Sequence, residues 1–422
     1  MVSAELSRQR GSVPQLDRPG PWQRLWRPFW VLPLAIVLGA LALAVVLPWV
    51  DGTFTFDVPY IFEGGPDGAR SLLSTIASAM ISVTGLVFSI TMVVLQLAQS
   101  QFTPRLLDSF LANRTTQATL GVFTASFVYA LAVLRTVRGA NDDVEEFVPQ
   151  LSVTAAFLLV LGAVAMFIAF IHNITTTVQV TTVVSRVGRR TAHLIGEQFG
   201  PPDGTPGFGP TWSPRPHEES TPLTVHGRHG SLDHVDYPRL VALARDHDVV
   251  VHLDVHLGTF IASGQRVGTV WGTAGLDDDL RRAFDRTLGV TRTRTTLQDI
   301  SFGVRQLVDI AERALSPGIN DPTTAVQVLD EIHVLLRELA MRRTISPYIA
   351  DGDGVVRVVT QPPTFAGILD LAVDEILDYA DNVQVPRKLK AMLEDVRDVA
   401  RDENLGAVVA KLEELREKAG PA

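Results

Sequence analysis

Between residues 28 and 171 the chain alternates apolar runs with short polar loops. The runs cover residues 28–50, 71–101, 117–137 and 150–171. At 1.5 Å per residue each is long enough to cross the hydrocarbon of a bilayer, so the pattern predicts four membrane helices. A soluble all-helical core would not need four such runs. The second run differs from the others. It reads SLLSTIASAMISVTGLVFSITMVVLQLAQSQ and carries no charge. On a helix, Ser71, Ser74, Thr75, Ser78, Ser82, Gly85, Ser89, Gln96, Gln99 and Ser100 fall within roughly 60° of the direction of Ser78. Ile76, Leu86, Leu95 and Leu97 cover the other sides. Hydrocarbon does not solvate such a stripe, so it is expected to face protein or water. Small residues at four-residue spacing suit close helix packing, and a polar stripe of this length suits the wall of a pore.

The loops set a direction across the membrane. The segment before the first run holds Arg8, Arg10, Arg18, Arg24 and Arg27, with Trp22, Trp26 and Trp30 placed for the interface. The loop after the second run holds Arg105 and Arg114, and Arg186, Arg189 and Arg190 come after the fourth. The other two loops are acidic, with Asp51, Asp57, Glu63 and Asp67 in one and Asp142, Asp143, Glu145 and Glu146 in the other. Basic flanks on alternate sides predict both termini in the cytoplasm. The first run is too long for a signal-peptide core and lacks a small-residue cleavage site, so no cleaved leader is expected. The expected organisation is a tail (residues 1–27), a four-helix membrane domain (28–172), a juxtamembrane segment and linker (173–222), a small β unit with an inserted helix (223–274) and a mainly helical domain (275–422). The fold class is therefore membrane α-helical plus a cytoplasmic α+β domain.

Within the β unit, VVVHLDVHL (residues 249–257) alternates with the strand period, and Gly258, Gly264, Gly268 and Gly272 punctuate the strands after it. GTFIASGQRVGTVW resembles the hairpin of a biotinyl- or lipoyl-like barrel, without a Lys at the turn for a swinging arm. Helices are expected over residues 277–288, 297–314 and 320–342, then a hairpin with DGDG at its turn, then two or three terminal helices.

Composition limits the chemistry. The 422-residue chain is 46% hydrophobic, has a net charge of −9 and has no Cys. Disulfides, thiolate metal sites and a Cys nucleophile are excluded, and broad nucleic-acid binding is not expected. Seven of the ten His lie between His217 and His256. His252, Asp254 and His256 would share one strand face, but no third converging ligand is identifiable, so no metal is assigned. His172 and Asn173 end the fourth run as interfacial groups. Arg292 and Arg294 are expected in a solvated loop. No P-loop, GxSxG, HExxH or dinucleotide fingerprint is present, so no enzyme class and no cofactor is assigned.

RALSPGINDPTTA (residues 313–325) reads as a helix stop followed by a helix start. Pro317 and Gly318 end one helix, with Gly318 expected at positive φ, and Asn320 or Asp321 caps the next, with Pro322 in its first turn. The plain reading is a tight corner. The functional reading is an anion- or headgroup-binding corner built from Ser316, Pro317, Gly318, Asn320, Asp321, Thr323 and Thr324. Together with FSITMVVLQLAQSQFTPRLL (residues 88–107), this motif resembles a bacterial family of predicted membrane proteins, the domain-of-unknown-function family 2254. The resemblance covers nearly the whole chain and implies a membrane topology but no established activity.

Two readings of function remain. The first is a homo-oligomeric pore or transport protein of the bacterial inner membrane, lined by the stripe of the second run. The second is a membrane-anchored sensor or scaffold whose cytoplasmic domain binds a soluble ligand or protein partner. The bilayer is the one partner common to both.

Overall fold

The computed structural model describes residues 28–53, 62–101, 113–139, 146–177, 179–199, 210–296, 298–380 and 382–419. The N-terminal tail, part of each connecting loop and the start of the Pro-rich linker lie outside these residues, as do the side chains of Gln99 and Ser100. The chain divides into two compact units, one ending at Thr182 and one beginning at Val183.

The first unit holds the four apolar runs as helices α1 (Val31–Thr53), α2 (Pro66–Gln101), α3 (Arg114–Leu134) and α4 (Gln150–Thr177). All four are long and apolar enough to span a membrane. The hub is α3, the most buried of the four. Thr116, Gln117, Thr119, Gly121, Ala125, Ser126 and Ala130 are buried on it. Small side chains let neighbouring backbones come close. A Cβ on Gly121 would lie 2.8 Å from Ile36 Cδ1 and 3.0 Å from Pro33 Cα, so only glycine fits where α1 meets α3. The hydroxyls of Thr119 and Ser126 donate to the carbonyls of Thr115 and Val122, four residues back, and so bring no unpaired group into the core. The signal for this hub was present in the sequence as the small and hydroxyl residues of the third run.

The second unit begins along α5 (Val180–Gln198) and continues with β1 (Ser220–Thr224), β2 (Gly230–Val235), α6 (Tyr237–Asp246), β3 (Val250–Leu253), β4 (Phe260–Ile261) and β5 (Arg266–Trp271). After α7 (Asp278–Asp285) and β6 (Leu288–Thr291) come α8 (Ile300–Leu315) and α9 (Pro322–Ala340). The hairpin β7 (Tyr348–Ala350) and β8 (Val356–Val359) precedes α10 (Phe365–Asp378), α11 (Gln384–Val399) and α12 (Asp402–Ala419).

The strands form two open sheets, ordered β1-β5-β3-β8-β7 and β4-β2-β6. Neither closes on itself, so the barrel-like unit expected from sequence is not formed by the described residues. The expected hairpin is not one either: β4 pairs with β2, whereas β5 pairs with β1 and β3 in the other sheet. The chain turns at Ala262–Gln265 and hands over between sheets. β3 and β8 are parallel, with Val251 opposite Val358. That pairing needs a long crossover, and it carries α8 and α9 within it. Leu223, Leu232, Leu240, Val251, Val270, Phe284 and Val358 fill the core around the sheets.

Candidate functional site

The stripe of the second span lies on the outside of the first unit. Ser71, Ser74, Thr75, Ser78, Ser82, Gly85, Ser89 and Gln96 are all exposed. Ala69, Leu73, Ile76, Ala77, Met80 and Val87 are the buried face of α2. At 100° per residue the two faces are about 160° apart. Among the described residues the stripe therefore points away from the other three spans. Ser71, Ser74, Thr75, Ser78 and Ala79 line a shallow open groove on that outer face. No heavy atom comes within 4 Å of where a Cβ on Gly85 would sit. Two of the hydroxyls bond inside the helix, Thr75 Oγ1 to Ser71 O at 2.8 Å and Ser82 Oγ to Ser78 O at 2.9 Å. Such bonds lower the cost of placing a hydroxyl in hydrocarbon, so lipid rejects the stripe less strongly than its composition suggests.

The corner between α8 and α9 is a tight turn. Ser316 ends α8 with φ −58° and ψ 146°, the extended conformation that the next residue, Pro317, imposes. The left-handed residue is Asn320, at φ 50°, and Gly318 is not at positive φ. Asn is among the few residues other than Gly that enter this region. The expectation that Gly318 fills that role is thus corrected. Asp321 caps α9: its Oδ1 accepts from Thr324 N at 3.0 Å and its Oδ2 from the Thr324 hydroxyl at 2.6 Å. These bonds hold the Asp321 carboxyl below the usual range. An anion at this helix start would have to displace that carboxylate. Pro317, Gly318, Ile319 and Thr323 are exposed around it.

The histidine strand is shorter than its sequence period. β3 stops at Leu253, so Asp254 and His256 do not continue one strand face with His252. His252 Nδ1 lies 3.6 Å from Asp254 Oδ1, and Arg266 takes the other oxygen at 3.3 Å. Among the described residues no group of three His, Asp or Glu converges to hold a metal.

The solvated loop expected around Arg294 is also corrected. Arg294 pairs with buried Asp299 at 2.6 Å, and its guanidinium sits 4.9 Å from the Phe302 ring centroid. Asp299 in turn caps α8 through Phe302 N. Nearby, the Gln298 amide bonds both the N–H and the C=O of Val235, and Asp233 accepts from Thr295 N at 2.6 Å. Burial opposes the Asp233 charge, but the bonds from His234 and Thr295 outweigh it and hold the carboxyl low. This polar seam fastens the three-stranded sheet to the start of α8. Sequence reasoning missed it because its members sit about 60 residues apart.

A second seam joins α8 to α10. Arg305 binds Glu375 bidentately, and its Nη1 lies 3.8 Å from both Asp309 and Glu312. Burial and the neighbouring Glu375 push the Glu312 carboxyl up to about 7.

Comparison with known proteins agrees with the membrane character. The family described as "Predicted membrane protein (DUF2254)" matches residues 26–395. Uncharacterized proteins of Mycobacterium bovis and Mycobacterium tuberculosis are 33% identical over 380 residues, covering 88% of this chain and 72% of their own. No solved structure matches. The chain belongs to the DUF2254 family of predicted membrane proteins.

Proposed function

We propose that this protein works in the bacterial inner membrane as a homo-oligomer, with the second spans of adjacent copies turned toward one another through the Ser71–Gln96 stripe to line a polar path. The observation that carries this reading is the exposure of the stripe from Ser71 to Gln96 on the outer face of the protomer, opposite the face of α2 buried against the other spans. From Ser71 to Gln96 the stripe is about 37 Å long, enough to cover the hydrocarbon. A path inside one protomer would need the stripe to face inward, and it does not. The alternation of basic and acidic flanks supports cytoplasmic termini and a cytoplasmic second unit.

The test uses the Cys-free chain as a clean background. Single Cys at Ser78, Ser82 or Ser89 should cross-link between copies and react with a small membrane-impermeant thiol reagent. Cys at buried Ile76 should do neither. Cross-linking without reactivity points to dry packing between copies and so to the scaffold reading. Neither cross-link nor reaction at any stripe position sinks the oligomeric path.

A further inference from the structure

The helix after the fourth span is sorted by charge as well as by hydrophobicity. α5 buries Val183, Val184, Val187, Gly188, Thr191, Leu194 and Ile195. That face is taken up within the second unit. Ser185 Oγ donates to Glu331 Oε1 at 2.8 Å, and the same carboxylate lies over Gly188, where it would be 2.4 Å from an added Cβ. Thr191 packs just as closely on Gly303. The opposite face carries Arg186, Arg189, Arg190 and His193, all exposed. At 100° per residue these four lie within an arc of about 100°. The stripe ends at Glu197, which pairs with His193 at 3.5 Å.

The surroundings in the chain sharpen this charge. Between Glu146 and Glu197 there is no Asp or Glu, although a whole membrane span lies in that interval. Arg186 comes nine positions after the last residue of α4 in the sequence. An arginine side chain adds several ångströms of reach, and the field of an anionic surface extends about a Debye length, roughly 8 Å, beyond the headgroups. The apolar face is committed to α8 and α9, and the arginine face is exposed.

We propose that the Arg186–Arg189–Arg190 face of α5 binds the anionic headgroups of phospholipids in the leaflet where the fourth span ends. The partner is a lipid surface, recognised by its negative charge. Such contact would dock the second unit on the membrane. The proposal stands apart from the stripe and holds for a monomer or an oligomer.

The experiment uses the full chain in nanodiscs. A fluorophore is attached to Cys at Gly196, an exposed position with open space around it. A quencher is carried on the lipid headgroups, and phosphatidylglycerol is titrated against phosphatidylcholine. Quenching should rise with the phosphatidylglycerol fraction and fall again in high salt. The triple change Arg186→Gln, Arg189→Gln, Arg190→Gln should weaken this response by about fivefold per arginine, on the order of a hundredfold in all. The triple change to Lys keeps the charge and should retain most of it. Quenching that ignores the anionic fraction in wild-type protein overturns the proposal. So does a Gln variant that responds like wild type, or equal loss in the Gln and Lys variants, which would mean a packing role.

Discussion

Asp51 and Ser152 join the ends of the first and fourth spans. One carboxylate oxygen of Asp51 accepts both the N–H of Ser152 at 3.0 Å and its hydroxyl at 2.6 Å, while the other accepts Leu151 N at 2.9 Å. The carboxylate thus satisfies donors that the start of a helix leaves free, and its charge matches the positive end of the α4 dipole. The Ser152 carbonyl in turn accepts the hydroxyl of buried Tyr129, which ties in the third span. Asp51→Ala should lower the thermal midpoint of the detergent-solubilised protein by the equivalent of about 1–3 kcal/mol. Asp51→Asn, which keeps an acceptor, should lose less. An unchanged midpoint for Asp51→Ala would show that this junction does not hold the spans together.

Gly121 tests the packing of the hub. Gly121→Leu places a side chain against Ile36 and the Pro33 backbone, and overpacking of this kind costs about 1–3 kcal/mol. Gly162→Leu, on an open outer face of α4, should be tolerated. Comparable midpoints for the two variants would contradict the contact between α1 and α3.

At the α8–α9 corner the sensitive residue is Asn320. Asn320→Val forces a β-branched side chain to φ 50° and should cost about 1–3 kcal/mol. Asn320→Gly should be neutral or slightly stabilising. Gly318→Val has open space and no positive φ to satisfy, so its effect should stay within about 0.5 kcal/mol. A larger loss for Gly318→Val than for Asn320→Val would reverse the assignment.

Glu312 makes the second unit pH-dependent. Its carboxyl is raised from 4.5 to about 7 by burial and by Glu375. The folded state therefore holds a proton that the unfolded chain releases above the ordinary carboxylate range. Stability from this group is present below about 4.5 and is lost as pH rises through about 7. Glu312→Gln should raise the thermal midpoint at pH 8 relative to wild type and change it little at pH 5. A variant that shifts both midpoints equally would mean that Glu312 does not titrate in this way.

The sequence alone determined what depends on local period and transfer energy. Four spans are dictated by four long runs almost without charge, because a continuous apolar run satisfies its own backbone groups in hydrocarbon only as a helix. The capping of α9 by Asp321 and Pro322 is legible, since the partners lie within one turn. The tertiary structure decided everything that rests on partners far apart in the chain. A helical wheel gives the stripe of α2 but not its direction; that came from Leu73, Ile76, Ala77 and Met80 packing inward and leaving Ser78 and Ser82 outside. It took the tertiary structure to show that β4 and β5 leave each other for different sheets, because strand pairing is chosen by non-local contacts. Arg294 reads as solvated until Asp299 and Phe302 are folded against it. Asn320 takes the left-handed position that Gly318 was expected to take, because Pro317 fixes Ser316 as extended and the reversal needed to start α9 falls two residues after the glycine.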